Sequence, residues 1–209
     1  MPAADRESRP SLVPLLALGS IFSRTRLMVN AMTAHDVLEF WFSEAMRPRW
    51  FDSTPGLDQA IRLRFEALWQ DAAAGRLAAW QDTPDSVLAL VIVLDQLPLN
   101  MFRGRPEAFA TEAQAVAVAR EAVVRGHDQG LSDDARRFLY LPFMHSESLA
   151  DQDHAVALFE AAGLDTRWAE HHRALIRRFG RFPHRNAVLG RASTPEELDY
   201  LASPQAFKG

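Results

Sequence analysis

The sequence predicts an all-α fold, a single domain of about eight or nine helices. Three observations carry this expectation. Ser or Thr cap residues recur ahead of apolar stretches, Gly or Pro recurs behind them, and no stretch alternates apolar and polar residues with period two. The length of 209 residues suits one core that buries about 70% of the unfolded surface.

Taken in order, Thr33 caps a helix that runs through Phe42, with Val37, Leu38, Trp41 and Phe42 along one face. A second helix covers Leu57 to Ala74, burying Ile61, Phe65, Leu68 and Trp69 and stopping at Gly75. Thr83-Pro84-Asp85 combines a cap, a first-turn proline and a first-turn acid. The apolar run Val87 to Leu94 that follows would suit a buried strand on its own, but that start signal favours a helix. Being apolar all round, the helix must be central, and Pro98 is expected to end it. Further helices are expected from Thr111 to Arg125 before Gly126, Ser132 to Leu141 before Pro142, and Ser146 to Ala162 before Gly163. Asp165 to Phe179 stops at Gly180, and Thr194-Pro195-Glu196-Glu197 opens a short last helix. Phe40, Trp41, Phe42, Trp50 and Phe51 are expected to form a core aromatic cluster.

Residues 1–31 stand apart from the domain, which is expected over 32–209. Pro2, Pro10 and Pro14, mixed charges and one apolar run from Leu12 to Phe22 read as a disordered or extended tail, or an overlong start with Met28 or Met32 as alternatives. A targeting signal is the competing reading, although Asp5, Glu7, Arg24 and Arg26 fit it poorly. The run is too short to cross a bilayer.

A net charge of −4 argues against a general nucleic-acid binder or an anionic-membrane binder. The absence of cysteine excludes thiolate catalysis, disulfides and cysteine-ligated metals, and fits a reducing cytoplasm, the expected location. From His171 to Pro195 there is no acid, yet Arg173, Arg177, Arg178, Arg181, Arg185 and Arg191 supply six positive charges. That polarity points either to packing against acidic elements or to an anion site.

The runs FWF, WF, LALVIVLDQ, NMFRG, AFAT, FLYLPFMHSESLADQ, RFGRFPHRNAVLGR and STPEEL, spread over Thr33 to Leu201, resemble the bacterial family known as domain of unknown function 924. The resemblance implies a tetratricopeptide-like antiparallel helical superhelix and no established activity. One departure is local. Where the family pattern has Phe-Pro-Arg-Asn after its Asp-Gln pair, this chain has Leu97-Pro98-Leu99-Asn100.

Asp95 is the most informative position, because a carboxylate at the end of an apolar helix needs a cation, a metal or a proton. It reads as an ion pair with Arg103 or a 178–191 arginine, or as a general base or ligand contact. In His145-Ser146-Glu147 the serine can cap the next helix, which would put Glu147 and Asp151 on one face with His154 beyond them. No tight metal-binding spacing occurs, so neither a metal nor any cofactor is expected. A serine nucleophile at Ser146 lacks its elbow motif. The segment Arg178 to Arg191 reads as a loop held to the core by arginine pairs to Glu147 or Asp151, or as a fork of Arg181, His184, Arg185 and Asn186 for a phosphate or carboxylate. Gln96 and Arg103 are further candidate ligand contacts, and His172 and His184 are candidate proton carriers or packed histidines.

The leading expectation is a binding module whose groove holds a small anionic ligand or an acidic peptide end. The alternative is an enzyme in which Asp95, His145, Glu147 and His184 supply acid and base. Neither a nucleic acid nor a membrane is an expected partner, and nothing in the sequence specifies an oligomeric state.

Overall fold

Hydroxyl caps start the first helices, one where the sequence places it and the second two residues ahead of the expected Leu57. The computed structural model describes residues 32–207, and the tail expected over 1–31 lies outside the described residues. Helix α1 (Ala34–Trp41) opens on a capping box in which Thr33 and Asp36 each bond the other's backbone N–H. Helix α2 (Pro55–Ala73) is capped by the Thr54 hydroxyl and buries Ile61, Phe65, Leu68 and Ala72, a single face by helical spacing. The chain leaves it through Gly75 at φ +73°, a left-handed position that glycine accepts without strain.

The apolar run forms the centre of the molecule. Helix α3 (Pro84–Val91) passes through a π turn (Ile92–Gln96) into α4 (Leu97–Met101), one continuous 18-residue rod. The rod is long and apolar enough to cross a membrane, but 78% of it is buried inside the domain, as a core helix would be. The expected stop at Pro98 is therefore overturned. A proline in a helix leaves the carbonyl four residues back without its donor. Here that carbonyl belongs to Leu94, and the Thr111 hydroxyl donates to it at 2.6 Å.

Helices α5 (Glu112–Val124), α6 (Asp133–His145), α7 (Leu149–Ala161) and α8 (Arg167–Phe179) follow, each packed on the next, before the short α9 (Pro195–Leu201). The rod packs against α1, α5 and α6, so both halves of the chain share one core. No strand occurs among the described residues, as the lack of period-two alternation requires. A smaller apolar cluster joins Leu175, Ile176, Phe182 and Tyr200 at the C-terminal end.

Two further boundaries differ from expectation. Helix α6 runs one turn past Leu141 and keeps Pro142 inside it, because continuing buries Phe143 and Met144 almost completely. Ser146 does not cap α7. Its hydroxyl donates to Asp151 at 2.7 Å and accepts from the Ser148 backbone, so Glu147 stands in a loop, off the helix face that Asp151 occupies. Of the aromatics, Trp41 is fully buried with Phe138 edge-on at 5.4 Å, whereas Phe51 is 73% exposed.

Candidate functional site

The π turn and the extra turn of α6 meet, and a cavity of about 820 Å³ opens beside them. Its walls come from the π turn, α4, the end of α6, the start of α8 and the segment around Arg185, with Trp50, Phe109, Phe159, Trp168 and Phe207 among its apolar lining. Buried polar groups converge on it at a few points, as they do in small-molecule sites.

Asp95 is 4% exposed, and both of its carboxylate oxygens face His145 Nδ1, at 2.9 and 3.0 Å. Gln96 Nε2 donates to it as well. The expected ion pair with Arg103 is not formed, because Arg103 reaches Asp58 at 2.8 Å instead. In the neutral imidazole a proton on Nδ1, the nitrogen that faces the carboxylate, leaves Nε2 as the acceptor, and His145 lines the cavity. A buried carboxylate that fixes the tautomer and orientation of an imidazole is how general bases are built.

Arg185 stands on another wall. Its Nη1 donates to Glu112 Oε2 at 2.8 Å, and the guanidinium lies over the Phe109 and Phe182 rings at 4.6 and 4.5 Å. Its side chain is only 7% exposed, and its Nε has no hydrogen-bond partner among the described residues. Burial pushes the Glu112 carboxyl up to about 7, against the pull of the Arg185 charge. Two histidines also line the cavity, as do Ser53, Arg137 and Asp165. His172 donates from Nδ1 to the Trp168 carbonyl at 2.7 Å, and burial holds it down to about 3. His184 is held to about 4 by burial and the adjacent Arg185 charge. Both are neutral at physiological pH and lie on the cavity wall.

The other candidates lie elsewhere. Glu147 takes a bidentate grip from Arg191 at 2.6 and 2.9 Å and accepts from the Phe182 backbone N–H. Arg181 is bidentate to Glu197 at 2.7 and 2.8 Å, and Asn186 donates to the same carboxylate. The expected fork of Arg181, His184, Arg185 and Asn186 therefore does not assemble, and only His184 and Arg185 reach the cavity. Each of the six clustered arginines has an acidic partner: Arg173 and Arg177 share Asp153, and Arg178 meets Glu196. His154 packs edge-on against Phe143, away from Glu147. Among the described residues no three His, Asp or Glu side chains are grouped as metal ligands would be.

The sequence profile described as "Bacterial protein of unknown function (DUF924)" matches residues 37–205. The chain belongs to this family. As a DUF924 protein it is similar to a solved protein of unknown function from Agrobacterium tumefaciens, ATU0120, with 42% identity and a TM-score of 0.76. The match covers 81% of this chain and 96% of that one. No curated protein matches the chain.

The DUF924 match spans every polar residue of the cavity, from Ser53 to Arg185. Glu112 escaped the reading of the sequence. It stands where a helix N-terminus favours any acid, and nothing local points to a partner 73 positions away. Asn100 was also passed over. Its Nδ2 donates to Asp58 at 2.9 Å, so the amide is fixed on the cavity wall beside Arg103.

Proposed function

We propose that this DUF924 chain is an enzyme that acts by acid–base catalysis on a small molecule carrying one anionic group. His145, oriented by Asp95, is the proton acceptor, and Arg185 is the anchor for the ligand's charge. The observation that carries this reading is the Asp95–His145 pair on the wall of an apolar cavity that also contains Arg185. His184, His172 and Gln96 would orient the ligand as neutral hydrogen-bonding groups. The cavity volume of about 820 Å³ is of small-molecule size, which favours a metabolite over an acidic peptide end. The successive packing of α5 to α8 supports the tetratricopeptide-like description, and the cysteine-free composition suits a reducing cytoplasm.

The test is a panel of aromatic and aliphatic carboxylic, hydroxy and oxo acids, followed by thermal melting for binding and by NMR in heavy water for turnover or deuterium uptake. His145→Asn and Asp95→Asn should keep the melting shift and lose about 10²–10⁴-fold in rate. The second reading, a binding module, is favoured by the same apolar walls. It prevails if ligands raise the melting temperature of the native protein without any exchange or turnover.

A further inference from the structure

We infer that Glu112 is a resident counter-ion which an incoming carboxylate displaces from Arg185, so that each anion bound at this site brings one proton onto Glu112. The inference rests on the proposed role of Arg185 as the anion anchor and adds to it a requirement on the protein's own residues. Its basis is geometric. Arg185 is buried, it pairs with the Glu112 carboxylate at 2.8 Å through Nη1 alone, its Nε has no partner among the described residues, and the residue lines the cavity. A ligand carboxylate that reaches this guanidinium brings a second negative charge onto one cation, inside a low-dielectric wall formed by Phe109 and Phe182. Two carboxylates so placed do not both stay ionised, and the one that can take a proton does.

The surroundings identify Glu112 as that group. Its charged and titratable neighbours are Arg185 on the loop before α9, His145 at the end of α6, Asp95 in the π turn and Glu147 in the loop after α6. Asp95 and Glu147 oppose its ionisation, as burial does, whereas Arg185 favours it, as does His145 when protonated. With the free carboxyl already titrating at about 7, one further negative charge moves it into the protonated form across the neutral range. His172 and His184 titrate far lower, at about 3 and 4, and do not exchange protons near neutrality.

The sign follows from linkage. Proton uptake on binding makes affinity rise as pH falls, by about tenfold per pH unit above the pKa of the free carboxyl, until the pKa in the complex is reached. A neutral ligand of the same shape has no such dependence.

The experiment uses 3-phenylpropionate, a carboxylate whose ring suits the aromatic walls, and its neutral amide as control. Calorimetry on the full chain at pH 6 to 8.5, in two buffers of different ionisation enthalpy, reads affinity and protons together. The expected result is close to one proton taken up at pH 8, with affinity falling about fivefold between pH 7 and 8 and approaching tenfold per unit above pH 8. Glu112→Gln, checked for folding by circular dichroism, should bind the acid with little pH dependence and more tightly than the native protein at pH 8. Binding without proton uptake overturns the role of Glu112 and leaves the anchor at Arg185 standing. The same holds if Glu112→Gln keeps the slope and His145→Asn abolishes it, which would place the proton on His145. If the acid binds no better than its amide at any pH, both the counter-ion and the anchor are refuted.

Discussion

Trp41 makes no exposed surface and fills the junction between α1 and α6. Trp41→Ala should cost about 3–5 kcal/mol in a denaturant titration, the range for emptying a large aromatic site. Its indole N–H is buried without a partner, so Trp41→Phe should cost far less than the alanine change, because it also removes an unsatisfied donor. A second residue sets an acid limit. The Arg181 fork holds Glu197 at about 2, helped by the Thr194 backbone N–H and Asn186. An unfolded glutamate titrates near 4.3, so this depressed value stabilises the fold above about pH 4.3, and the contribution is lost as pH falls toward 2. Glu197→Gln should lower the melting temperature at pH 7 and flatten its decline over that acid window. A variant that declines as steeply as the native protein would show that Glu197 does not set it.

At the level of the helix, Thr111 decides whether the central rod can carry Pro98. It stands at the N-cap of α5, yet its hydroxyl makes no capping bond. It donates to the Leu94 carbonyl and accepts from Trp69 Nε1 at 3.0 Å. Thr111→Val keeps the volume and strands both partners, so it should cost about 1–3 kcal/mol, and Thr111→Ser should recover most of it. An equal loss in the serine variant would place the effect in the methyl group. The same residue explains which boundaries were legible. Helix starts at Thr33, Thr83, Ser132 and Thr194 are local chemistry, a hydroxyl and an N–H three residues on, and sequence alone displays them, whereas the Thr54 cap lies ahead of the Leu57 start expected for α2. The stops expected at Pro98 and Pro142 failed because what offsets each proline comes from elsewhere in the chain: a hydroxyl on α5 for one, burial of Phe143 and Met144 for the other. The π turn has no local signature at all, although it is what sets Asp95 against His145.

Across the whole molecule, charge pairing links the C-terminal segment to the rest. Asp95, Gln96, His145, His184 and Arg185 could be singled out from the sequence because their residue types are unusual for their positions. Which acid meets which arginine could not, since the pairs span 44 positions for Arg191–Glu147 and 73 for Arg185–Glu112. An excess of arginine within one segment is no excess once those acids arrive. A double-mutant cycle on Arg191 and Glu147 should therefore give a coupling of about 1–3 kcal/mol, while one on Arg185 and Glu147 stays within about 0.5 kcal/mol. The reverse order would mean that the two arginines had exchanged partners. These spans also order events in time. As the chain leaves the ribosome, Asp95 and His145 are both synthesised before Arg185, and the small apolar cluster is completed only when Tyr200, Leu201 and Phe207 have followed. In the finished protein the same small cluster should be the first to open, with amides near Arg185 and Asn186 exchanging with solvent ahead of those in the buried rod.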